Sequence, residues 1–144
     1  MEYKDDFLAK SDGTKMFEHS TVVNIISCEI IKQTLQENKK EEDIKHIIKH
    51  FSFLHDIGKI SSCFQNKISN KTKKYKCAYL HNEIGWAFLT KYLSPSFRLR
   101  EDIINLVYWH HGIRNKMNGY YATNVLEAIT EEDEKNMLEY LISN

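Results

Sequence analysis

The 144-residue chain has one proline and five glycines, well below the average usage of about 5% and 7%. With so few breakers, and with abundant Ile, Leu, Lys and Glu, it favours long helices over turn-rich sheets. Charge of one sign is also missing, because 20 Lys+Arg stand against 20 Asp+Glu. Nothing in the net charge announces a polyanionic partner, so any nucleic-acid contact has to come from local patches. No apolar run approaches the roughly 18 residues of a membrane span, and Met1-Glu2-Tyr3-Lys4-Asp5-Asp6 lacks the charge pattern of a signal peptide. No membrane partner and a cytoplasmic location are therefore expected. Cys28, Cys63 and Cys77 are odd in number and form no C-x-x-C pair, which reads as reduced thiols serving as small buried apolar residues. What is present is ordinary: 42% hydrophobic and 28% charged residues predict a single globular domain over 1–144.

Helical periodicity organises most of the chain. Val22, Val23, Ile26, Ile30 and Ile31 recur at helical spacing between His19 and about Gln36, with His19 at the N-terminal end of the stripe. Glu41-Glu42-Asp43 puts negative charge where a second helix begins, and Ile44, Ile47, Ile48, Phe51 and Leu54 continue one face until Gly58 offers a stop. Residues 66–76 contain five lysines and no acid and read as an exposed basic loop. A third helix is expected from about Leu80 through Lys91, closed by Ser94-Pro95-Ser96, and a fourth from about Leu99 through His111. Gly112 to Tyr121 reads as a turn region, after which Thr130-Glu131-Glu132-Asp133 resembles a capping box opening a last helix.

Five of the seven histidines, His19, His55, His81, His110 and His111, fall at helix ends or on inward faces, and Asp56 follows His55 directly. A lone inward histidine is more often a core residue hydrogen-bonded locally. Five imidazoles and a carboxylate buried together without a cation would instead be a costly polar cluster. Imidazole nitrogen suits Mn, Fe, Co, Ni or Zn, and one carboxylate can bridge two ions through its two oxygens, so the set points to a dinuclear centre.

The motifs Leu8-Ala9-Lys10-Ser11 ahead of His19-Ser20, Leu54-His55-Asp56-Ile57-Gly58-Lys59, Phe64-Gln65, His81-Asn82-Glu83-Ile84-Gly85 and His110-His111-Gly112 resemble the HD nuclease domain of the CRISPR type I effector helicase-nuclease, within the HD metal-dependent phosphohydrolase superfamily. The resemblance runs from about Leu8 to Gly112, and the pairing of His-Asp-x-Gly-Lys with Phe-Gln is its most specific part. It implies an all-α HD bundle with a metal centre between helices. It further implies a nuclease that cuts single-stranded DNA, served by a helicase domain or subunit and an RNA-guided surveillance complex. The cofactors implied are one or two divalent ions drawn from Mn, Ni, Co, Fe or Mg. By the same resemblance His19, His55 and Asp56 hold one ion, and Asp56 with His81, His110 and His111 holds the other. Asp56 and Lys59 stand nearest the chemistry, with Lys59 giving charge to a phosphate oxygen or to the Asp56 carboxylate, or simply standing solvated after a helix.

One departure matters. Members of the family usually supply a further Asp on a later helix, and the only Asp after His111 is Asp133, inside the capping box, with Asn124 a weaker substitute. Either the chain is a fragment lacking the last metal motif, or it is a minimal form with a three-ligand first site. Two other readings follow from the same residues. One is an HD phosphohydrolase acting on a nucleotide or a cyclic dinucleotide, although the segment after His110-His111 lacks the Gly-Tyr-Pro ending of the HD-GYP type. The other is a non-catalytic HD adaptor. The basic segment from Lys67 to Lys76, with Tyr75 and Tyr79, fits an open strand groove better than a closed nucleotide pocket.

Overall fold

Negative charge at a helix N-terminus complements the macrodipole, and both Glu41-Glu42-Asp43 and Glu131-Glu132-Asp133-Glu134 open helices in this way. The computed structural model describes residues 6–34, 41–69, 76–112 and 119–143. Within these lie helices α1 (Met16–Thr34), α2 (Glu41–Leu54), α3 (Ser62–Ser69), α4 (His81–Tyr92), α5 (Arg100–Trp109), α6 (Gly119–Leu126) and α7 (Glu131–Ser143), with a 3-10 turn at Ile57–Ile60. The all-α expectation holds: among the described residues the one β feature is the isolated bridge between Leu8 and Lys15.

The helix α4 is the centre of the bundle. Eight consecutive residues from Asn82 to Leu89 are buried, as a helix surrounded on all sides requires. It packs on the 3-10 turn, α5 and α6, while α2 joins α1 to α5 and α7 lies against the 3-10 turn. Met16, Ile57, Phe88, Leu89, Ile103, Val107, Val125, Met137 and Tyr140 fill the core between them.

Several sequence expectations need correction. The stripe Val22, Ile26, Ile30 faces outward, at 48%, 54% and 55% exposure. Ile31 of that stripe is buried as expected, and the rest of the buried side of α1 is Met16 and Ser20, with Tyr140 donating its hydroxyl to Ser20 Oγ at 3.0 Å. A serine at the helix crossing hides the inward face from a hydropathy count. The second helix stops at Leu54 rather than at Gly58. The basic segment begins as helix, since α3 runs to Ser69, while 70–75, including Tyr75, lie outside the described residues. Gly119 to Tyr121, read as turn, open α6, and 113–118 lie outside the described residues. Cys63 and Cys77 are joined in a disulfide, leaving Cys28 free. α3 and the segment leading into α4 bring their Cα atoms to 5.8 Å, within bridging range, a proximity that a 14-residue separation alone does not reveal.

Candidate metal centre

The chain turns sharply after Leu54 because Gly58 must lie against the start of α4. A Cβ at Gly58 would stand 1.9 Å from the His81 carbonyl oxygen and 2.8 Å from Gly85 N, so only glycine lets the Asp56 turn touch that backbone. This contact sets Asp56 beside His81. Glu83, buried in the first turn of α4, accepts the Leu80 backbone N–H at 2.7 Å and the Tyr121 hydroxyl at 2.8 Å, which fixes the end of α4 where His81 sits. Asn82 donates its amide to the Tyr108 carbonyl at 2.6 Å and so ties α4 to the end of α5, where His110 and His111 follow.

The Asp56 carboxylate is buried and lies at the convergence. His19 Nε2 and His55 Nε2 each stand 3.1 Å from Oδ2, and His81 Nε2 stands 3.1 Å from Oδ1. His110 Nε2 is 3.7 Å from Oδ1, and His111 Nε2 is 2.8 Å from His81 Nε2. All five histidines singled out in the sequence therefore meet around one carboxylate. Lys59, one turn on, brings Nζ to 2.7 Å from Oδ2 and donates to the Ala9 carbonyl at 3.3 Å.

Two of these imidazoles are aimed from behind. His55 Nδ1 is 2.9 Å from the Ser52 carbonyl and His110 Nδ1 is 2.6 Å from the Val107 carbonyl. A proton on Nδ1 donated to a carbonyl leaves the Nε2 lone pair facing Asp56, the arrangement metal-ligating histidines use. Among the described residues His110 Nε2 is buried and makes no hydrogen bond, standing 3.7 Å from Asp56 Oδ1, a cost that a bound cation would remove.

Electrostatics favour the same state. Burial by itself raises the Asp56 carboxyl pKa, but the imidazoles of His110, His55 and His81 outweigh it and hold the group well below the ordinary carboxylate range. His19 and His81 are lowered chiefly by burial, with Asp56 pulling the other way. His111 is pushed down to about 4, first by burial and then by His110 and His81. An ionised carboxylate beside imidazoles that burial shifts toward the neutral form at His19, His81 and His111 is the donor set that borderline divalent ions take. The ligand atoms form two groups, Asp56 with His81, His110 and His111, and His19 with His55 and Asp56, each within 4.8 Å of one another.

Asp133 is elsewhere. Its Oδ2 accepts from Thr130 N at 3.0 Å and Ser62 Oγ at 3.1 Å, its Oδ1 accepts from Ser62 N at 2.7 Å, and its own N–H donates to Thr130 Oγ1 at 3.1 Å. The capping box read from the sequence is thus present, and it also pins α7 to α3. Gln65, part of the quoted Phe-Gln pair, had no role legible in the sequence. Its amide donates to the Leu8 carbonyl at 2.9 Å and the Lys59 carbonyl at 2.7 Å, while its oxygen accepts Leu8 N at 3.0 Å. It thereby holds the 7–9 segment, and with it the Ala9 carbonyl, beside Lys59.

The family model described as "Cas3, HD domain" matches residues 14–142. No curated protein and no solved structure matches the chain.

Proposed function

The chain belongs to the Cas3 HD-domain family, and from that premise we propose that it is a divalent-metal-dependent phosphodiesterase that cleaves single-stranded DNA in CRISPR type I interference. The observation that carries the reading is the convergence of five imidazoles on buried Asp56, with His110 Nε2 making no hydrogen bond among the described residues. His81, His110, His111 and Asp56 would hold one ion, and His19, His55 and Asp56 a second with one donor fewer. When bound, such ions polarise the scissile phosphate and lower the pKa of an attacking water.

The protein's own groups do the rest. Asp56, kept ionised by its imidazole neighbours, spans both ligand sets with its two oxygens. The Ser52 and Val107 carbonyls hold the His55 and His110 rings in the tautomer that presents Nε2. Lys59, its side chain 13% exposed, holds its ammonium on Asp56 Oδ2 and the Ala9 carbonyl, from where it would give charge to a phosphate oxygen beside Asp56 in the transition state. With no net charge, the chain has modest long-range attraction for a strand, so a helicase and an RNA-guided surveillance complex deliver the DNA.

The test is metal-dependent cleavage of labelled single-stranded DNA. Cleavage with Mn or Ni that is absent with chelator, and little cutting of duplex, is the expected result. Hydrolysis confined to mononucleotides or cyclic dinucleotides would replace this reading with a small-nucleotide phosphohydrolase, and strand binding without turnover would replace it with an adaptor.

A further inference from the structure

Beside the metal centre, between α3 and the start of α4, lies a cavity of about 170 Å³ lined by Phe64, Lys67, Lys76, Tyr79 and His81. His81 belongs to both places: its ring borders the cavity while its Nε2 faces Asp56. Phe64 meets His81 edge to face at 5.4 Å, and the Tyr79 ring is braced by Tyr121 at 5.8 Å. The walls are stapled together, because the disulfide from Cys63 in α3 reaches Cys77, one residue beyond Lys76. Lys67 and Lys76 are exposed at the rim, and neither is paired with a carboxylate among the described residues.

We infer that this cavity seats one base of the substrate strand next to the scissile phosphate, with Lys67 and Lys76 holding the flanking phosphates. The inference deepens the nuclease reading and rests on it. An apolar cavity of roughly 150 Å³ is known to take a benzene-sized ring, so the volume suits a single heterocycle. Aromatic walls with cations at the rim are the sequence-tolerant way to hold single strands, since every base has a π-face and every linkage a charge. The larger cavity, about 560 Å³ between α4, α6 and α7, has Glu127, Glu131 and Glu134 around it against the single Lys91, which is paired with Glu134, and suits the same ligand less well. In a chain whose charges cancel overall, the two exposed lysines beside His81 give the strand a defined side of approach.

The experiment uses the whole chain, a fluorescent single-stranded oligodeoxynucleotide, and bis(p-nitrophenyl) phosphate as a diester too small to span the rim. For the Lys67→Ala/Lys76→Ala variant we expect strand binding, measured in chelator, to weaken about tenfold and the slope of log affinity against log salt to shrink by about 1.4, the value for two lost single-strand phosphate contacts. Hydrolysis of the small diester with Mn should stay within about twofold of the parent, since the metal ligands are untouched. The control variant Lys32→Ala/Lys49→Ala, whose residues do not line the cavity, should bind the strand as the parent does. A strand of the same length carrying abasic sites should bind the parent more weakly.

Unchanged strand affinity in the Lys67/Lys76 variant, or an equal loss in the control, overturns the phosphate contacts. Equal affinity for abasic and normal strands overturns the seating of a base. In either case hydrolysis of the small diester by the parent leaves the nuclease reading standing. If the metal-loaded parent hydrolyses neither the strand nor the small diester, the nuclease reading itself falls and this inference falls with it.

Discussion

At the scale of single residues, His110 Nε2, which makes no hydrogen bond among the described residues, is the most telling atom in the molecule. Its ring is held by the Val107 carbonyl at 2.6 Å, so it cannot turn to find another partner without losing that bond. Truncating it removes a candidate ligand already held in place, and His110→Ala should weaken divalent-metal affinity by at least about 100-fold, beyond the 10- to 100-fold typical when only a supporting partner is lost. Calorimetric titration with Mn or Ni checks this, and unchanged affinity would remove His110 from the ligand set. The histidines themselves were legible in the sequence because their chemistry is rare on inward faces. Their orientation was not, since it rests on the Ser52 and Val107 carbonyls, and backbone carbonyls leave no mark on residue type.

Among the elements, the start of α7 decides what Asp133 is for. Its carboxylate is buried and accepts three hydrogen bonds, from Thr130 N, Ser62 N and Ser62 Oγ, none of them from the histidine cluster. Asp133→Ala should therefore lower stability by about 1–3 kcal/mol, through a lost cap and unsatisfied donors, while leaving metal content unchanged. Thermal unfolding and metal analysis of the same sample would check both halves, and a loss of metal with little loss of stability would instead make Asp133 a ligand. The disulfide carries a second expectation at this scale. Closing the segment between Cys63 and Cys77, 14 residues apart, should contribute about 3 kcal/mol by restricting the unfolded chain. Adding reductant should thus lower the unfolding temperature of the parent but not of Cys63→Ser/Cys77→Ser, and an equal response in both would contradict the crosslink. Helix positions were readable wherever apolar residues kept the 3.6 period, as in α2 and α4. The position of α1 was readable too but its inward face was misread, since Ser20 faces inward while Val22, Ile26 and Ile30 face out, and α3 was missed because it is short and runs into the basic segment at Lys67.

For the molecule as a whole, the candidate ligands come from α1, the turn after α2, the start of α4 and the end of α5, so a bound ion would crosslink elements far apart in the chain. Gly58 makes that possible by letting the Asp56 turn touch the His81 backbone. The sequence announced the candidate ligand residues and the family pattern, whereas this contact and the bracing of His81 by Glu83 and Tyr121 needed the fold. Asp56 is the one residue common to both ligand sets, which makes it the sharpest point of attack. The most direct measurement is the metal content, by mass spectrometry, of the parent and Asp56→Asn after loading with Mn or Ni and removal of free ion. The account predicts at least one tightly held ion per parent chain and its loss from the variant; equal stoichiometric metal in both, or none in the parent, would contradict it.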